Sequence, residues 1–81
     1  MALMTDKVKA NTFRKEFGMA VRRKRGGLSQ EAFADLAGIH RTYVSSIELG
    51  KVDVGIGTAY KVANALKKPL SKIIKEAEDN T

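Results

Sequence analysis

The tightest constraint on this chain is a three-residue interruption. Gly38-Ile39-His40 separates two short stretches, Gln30 to Ala37 and about Arg41 to Leu49, whose apolar residues recur at helical spacing. In the first, Phe33, Ala34, Leu36 and Ala37 are expected to face inward; in the second, Val44, Ile47 and Glu48 mark the inner side. Ser29 is placed to cap the first stretch, because its hydroxyl can accept from an orphan N–H two or three residues on. Glu31 lies in the first turn, where the helix dipole favours negative charge. Gly38 ends that helix, since glycine takes the left-handed conformation without a steric penalty. A turn this tight brings two helices together at an angle, and the small Ala34 lets them approach while Ile39 plugs the corner.

The rest of the chain is punctuated just as sparsely, by seven glycines and one proline in total. A first helical segment is expected from about Phe13 to Arg25, with Phe13, Phe17, Ala20 and Val21 on one face and Asn11 or Thr12 as its cap. A fourth runs from about Gly57 to Leu66 on Ala59, Val62, Ala63 and Leu66, and a fifth from Pro69 or Leu70 to about Ala77 on Leu70, Ile73 and Ile74. Nothing has the alternation of a strand, so the prediction is an all-α domain of five helices. Its expected limits are a mobile basic arm over 1–10, with a short helical extension as the alternative there, the domain itself over 11–77 and a frayed acidic tail over 78–81.

Charge narrows the class of partner. Met1 to Gly27 holds eight basic and two acidic residues, whereas Leu28 to Thr81 holds seven of each, so the whole excess of +6 lies in the first third. Clustered charge of one sign attracts a polyanion. No cysteine and a single histidine leave no thiolate or histidine-rich metal set, and no nucleophile or acid–base constellation is evident, so neither an enzyme nor a metal or other cofactor is expected. Apolar runs fall far short of the ~18 residues that suggest a membrane span. A soluble, cytoplasmic domain is therefore expected, with no membrane partner.

Two helices about a tight turn form a helix-turn-helix, whose second helix fits the DNA major groove. On a helical wheel Thr42, Ser45, Ser46 and Leu49 lie opposite Val44, with Arg41 at the N-terminal rim and no acidic residue among them to repel a phosphate backbone. From Leu28 to Lys51 the sequence resembles the Cro/phage-repressor-type helix-turn-helix family, and Ala63-Asn64-Ala65-Leu66 and Leu70-Ser71-Lys72-Ile73-Ile74 continue the likeness. His40-Arg41-Thr42-Tyr43-Val44-Ser45-Ser46-Ile47-Glu48 looks most like the controller proteins of restriction–modification systems.

That resemblance implies a five-helix, lambda-repressor-like DNA-binding domain covering roughly residues 13 to 75. It implies base contacts from Arg41, Thr42, Ser45 and Ser46, and phosphate contacts from Gln30, His40, Tyr43 and Lys51, with Arg22 and Arg25 adding a basic patch. Tyr43 has packing at the helix edge as its alternative role, and His40 a role as turn or cap residue. Glu48 matches a position that pairs with an arginine of the first helix, here Arg25 or Arg23. Glu31 and Asp35 match positions that touch RNA polymerase in phage repressors, or else form a solvated face. Two departures stand out: the chain is about two residues shorter before Leu28, and Val54 replaces a usual proline.

One helix reads few base pairs, so a homodimer on a palindromic operator is expected, paired through Tyr60, Leu70, Ile73 and Ile74, with Ile73 serving the core and Ile74 the partner as the alternative division between the last two. The expected function is a double-stranded-DNA-binding transcription regulator, autoregulatory within a restriction–modification operon. An antitoxin or protein-interaction module of the same fold, or a phage-type repressor, is the alternative.

Overall fold

The computed structural model describes residues 2–81, with side-chain surroundings from residue 6 onward. Five helices follow one another: α1 (Ala2–Arg25), α2 (Gln30–Ala37), α3 (Arg41–Glu48), α4 (Ile56–Ala65) and α5 (Leu70–Asp79). No strand occurs among the described residues.

The three middle helices keep close to the limits expected from their caps and periods. Ser29 Oγ accepts from the Ala32 N–H at 3.0 Å at the start of α2. Gly38 closes it at φ 71°, its N–H directed at the Ala34 and Asp35 carbonyls, and the Ile39 N–H donates to Ala34 O at 3.1 Å. His40 caps α3 by accepting from the Thr42 N–H on Nδ1 at 3.1 Å.

The first helix departs from expectation. It begins at Ala2 rather than near Phe13, so residues 2–10 of the segment expected as an arm take the alternative form and are helical. The reason is local: nothing before Gly18 is glycine or proline, so no residue stops the helix from propagating. Thr12 accordingly caps nothing, and its hydroxyl donates back to Val8 O at 3.0 Å within the helix. At the other end α5 continues to Asp79 with Asn80 as its cap, so Glu78 and Asp79 are helical as well.

The core gathers Phe17 and Val21 of α1, Phe33 of α2, Val44 and Ile47 of α3, Val62 of α4 and Ile73 of α5. Helix α1 packs on both α3 and α5, while α2 packs on α3 and α4. Val54 is half-buried against the core in the α3–α4 loop. Leu36, expected inward, is 63% exposed. The buried line of α2 runs through Phe33, Ala34 and Ala37, and Leu36 lies at its margin on the wheel. No described helix is long and apolar enough to cross a membrane.

Candidate nucleic-acid interface

Helix α3 is held from beneath. Val44 and Ile47 are buried, and so is Glu48, although it is a carboxylate. A buried charge must be paired and hydrogen-bonded. Arg25 meets this requirement with a fork: Nε lies 2.7 Å from Glu48 Oε2 and Nη2 lies 2.9 Å from Oε1. Gln30 Nε2 donates to the same Oε1 at 3.0 Å. Burial pushes the Glu48 carboxyl up, but the hydrogen bonds from Arg25 and Gln30 and the nearby Arg25 and Arg22 charges outweigh it, so its pKa lies below the usual range. The Arg25 pKa is raised, chiefly by its hydrogen bonding to Glu48. One carboxylate thus ties together the end of α1, the start of α2 and the end of α3.

Two glycines let α1 approach the far end of α3. A Cβ on Gly18 would strike the carbonyl oxygens of Ile47 and Glu48, the latter at 2.6 Å. A Cβ on Gly50, itself at φ 70°, would lie 2.8 Å from Lys15 Cα. Arg14 Nη1 then reaches Asp53 Oδ1 at 2.6 Å and fixes the following loop to α1.

The opposite side of α3 is open. Arg41 and Thr42 are exposed, Ser45 and Ser46 are half-buried, and Leu49 is exposed beyond them. All four residues expected at base edges therefore lie on one outward surface of small or polar side chains with a single guanidinium. Arg41 also borders a shallow hollow with Ser29, Gln30, Glu31 and Asp35. His40 and Lys51 are exposed at the two ends of α3, and Arg22 is exposed on α1. Tyr43 is half-buried against the edge of the core. Glu31 and Asp35 are exposed on α2.

Three residues expected at phosphates are engaged within the protein: His40 through the cap its Nδ1 makes on the Thr42 N–H, and Arg25 and Gln30 at Glu48. Besides its fork to Glu48, Arg25 donates from Nη1 to Leu28 O at 2.7 Å, so its guanidinium is not an open anion site. It is Arg25 that partners Glu48; Arg23 Nη2 instead reaches Glu76 Oε1 at 3.0 Å. Gln30 likewise gives an amide hydrogen to Glu48.

The expected dimer surface also changes. Ile73 is fully buried in the monomer core, because Ile73 and Ala77 together form the inner line of α5. It cannot pair with another subunit. Leu70 and Ile74 are half-buried against the core, and Tyr60 is 60% exposed. Ile56, one turn before Tyr60 on α4, is 79% exposed, which the sequence reasoning missed by starting that helix at Gly57. It also missed Gly18 as a contact with α3. A glycine inside a helix costs about 1 kcal/mol relative to alanine, and that cost was the available signal.

A family model described as helix-turn-helix matches residues 19–73. The chain is 38% identical to control protein C.MunI of Mycoplasma sp over 58 residues, 72% of this chain and 78% of that protein. It is 38% identical to control protein C.SmaI of Serratia marcescens over 47 residues, 58% of this chain, and there it spans only 56% of its relative. Among solved structures, the restriction-modification controller protein C.AhdI from Aeromonas hydrophila superposes with a TM-score of 0.70 at 36% identity, covering 73% of this chain and 92% of that one.

Proposed function

The chain belongs to the helix-turn-helix family, and on that footing we propose that it is a homodimeric transcription regulator of the restriction–modification controller type, which binds a palindromic operator in double-stranded DNA and acts on its own promoter. The observation that carries this reading is the two-sidedness of α3. Its inner side is locked by Val44, Ile47 and the Glu48 cluster, and its outer side offers Arg41, Thr42, Ser45 and Ser46. Rigid presentation of short side chains allows close approach to base edges, and Arg41 suits a bidentate contact to guanine O6 and N7. His40 and Lys51, with Arg22 behind them, take the flanking phosphates, which fix register without reading sequence.

Two copies are needed to read a useful length of DNA, with half-sites about one helical turn, ~10 bp, apart. Ile56 and Tyr60 stand exposed one turn apart on α4, just after the loop that leaves α3, and Ile74 lies in the adjoining groove. We assign the dimer contact to this surface. In the activating mode, Glu31 and Asp35 on α2 are the side chains offered to RNA polymerase.

The test is a titration of the DNA upstream of its own gene against a random duplex of equal length. Arg41→Ala should lose about 1–3 kcal/mol on the specific site and little on the random one. Equal losses on both would remove base reading from Arg41.

A further inference from the structure

We infer that α1 carries an accessory DNA-backbone surface, in which the edge bearing Lys7 and Lys15, continuous with Arg22, takes through those two lysines phosphates of the duplex beyond the C-terminal end of α3. This rests on duplex binding by α3 as proposed above, and adds phosphate contacts that the recognition helix cannot reach.

The direction of that edge follows from contacts. Residues 7, 11, 15, 18 and 22 recur at steps of four, four, three and four, so they share one narrow stripe of the helix. Gly18 lies within the stripe, and a Cβ there would meet the Glu48 carbonyl carbon at 2.8 Å. Gly50 approaches the stripe from the other side at Lys15. The stripe is therefore turned toward the end of α3 and the turn that follows it. Where α1 runs on past that turn, Lys7 and Asn11 are exposed on the same line, and Lys15 and Arg22 are exposed beside it.

Charge and continuity select the partner. Among the described residues, Lys7, Lys15 and Arg22 have no ion-pair partner, whereas Arg14, Arg23, Lys24 and Arg25 each have one. The acidic residues of this half of α1 lie elsewhere: Asp6 lines the groove toward α5, and Glu16 falls on the reverse side of the helix wheel. Lys51 is exposed just after the same turn, while Arg14 and Asp53 tie that loop to α1. Lys7 lies about 12 Å along α1 from Lys15, at 1.5 Å per residue. That distance matches three or four phosphates of one strand, at about 3.4 Å of duplex axis each.

The experiment is a salt titration of the full chain on a short random-sequence duplex, which needs no operator. The double variant Lys7→Ala/Lys15→Ala is compared with Lys68→Ala/Lys72→Ala, which removes the same charge from exposed positions around the start of α5. Alanine at exposed helical sites keeps the fold, checked by circular dichroism. The first variant should flatten the slope of log K against log salt by about 1.8 per bound subunit, two contacts at about 0.9 each, and the second should leave it unchanged. An unchanged slope in the first variant, or equal flattening in both, would overturn the accessory surface, the latter because net charge alone would then explain the effect. If the wild-type chain shows no preference for any sequence yet the α1 variant still flattens the slope, base reading fails and the accessory surface stands. A wild-type chain that binds no duplex overturns both.

Discussion

Helix α1 has two neighbours, and it meets them by different means. Toward α3 the contact is close and charged. Gly18 and Gly50 bring backbones together, and Arg25 forks onto Glu48, whose side chain is only 3% exposed. Toward α5 the charged contact lies at the surface, where Lys24 and Arg23 both reach Glu76, whose side chain is 31% exposed. Both clusters set one carboxylate against basic residues from the last turn of α1. The difference in burial decides what each is worth. An exposed pair is screened by water, while a buried one leaves a stranded charge when either partner is removed. The side that positions the recognition helix is thus the side built to tolerate no change.

The largest effect is expected from Arg25→Ala, which strands Glu48. It should cost about 3–5 kcal/mol in urea unfolding, much of the stability of a domain this size. The same cluster predicts a pH dependence. The folded-state pKa of Glu48 lies below its unfolded value, so its contribution is complete above about pH 4.3 and disappears as pH falls through the lowered folded pKa. The stability difference between the wild type and Glu48→Gln, followed from pH 7 into acid, should shrink over that window. If it stays constant, the carboxylate charge is not what Arg25 holds.

Gly18→Ala comes next, at roughly 1–3 kcal/mol, because the added methyl meets backbone carbonyls and α1 must move off α3. Operator affinity should fall more than stability alone accounts for, since the tilt of α3 changes; a variant of full affinity would show that the approach at Gly18 does not position the helix. The smallest effect is expected from Glu76→Gln. Its pKa is lowered, mainly by hydrogen bonds from Lys24 and then Arg23, yet thermal unfolding near neutral pH should barely move. A loss comparable to that of Arg25→Ala would erase the contrast between the two sides of α1.

The parts legible in the sequence are those fixed by neighbours a few residues apart. Ser29, Gly38 and the inner line of α3 each act within one or two turns, so their residue types announce their roles. The outward set Arg41, Thr42, Ser45 and Ser46 followed from the same period. What escaped depends on residues far apart in the chain. The Glu48 partner was narrowed to two arginines, but only the way α1 crosses α3 selects Arg25. Ile73 and Ile74 are adjacent in sequence and equally apolar, and only the packing of α5 on α1 and α4 sends one inward and leaves the other at a groove. Helix α1 runs past Asn11 and Thr12 because a residue type suited to capping does not end a helix where no glycine or proline interrupts it.

Taken by formula, α3 is electrically neutral, with one arginine and one glutamate between Arg41 and Glu48. Approached from outside it behaves as a cation. The negative end is folded away and answered by a guanidinium from another helix, so the carboxylates an incoming polyanion meets near Arg41 are those of α2, Glu31 and Asp35, and not that of its own helix.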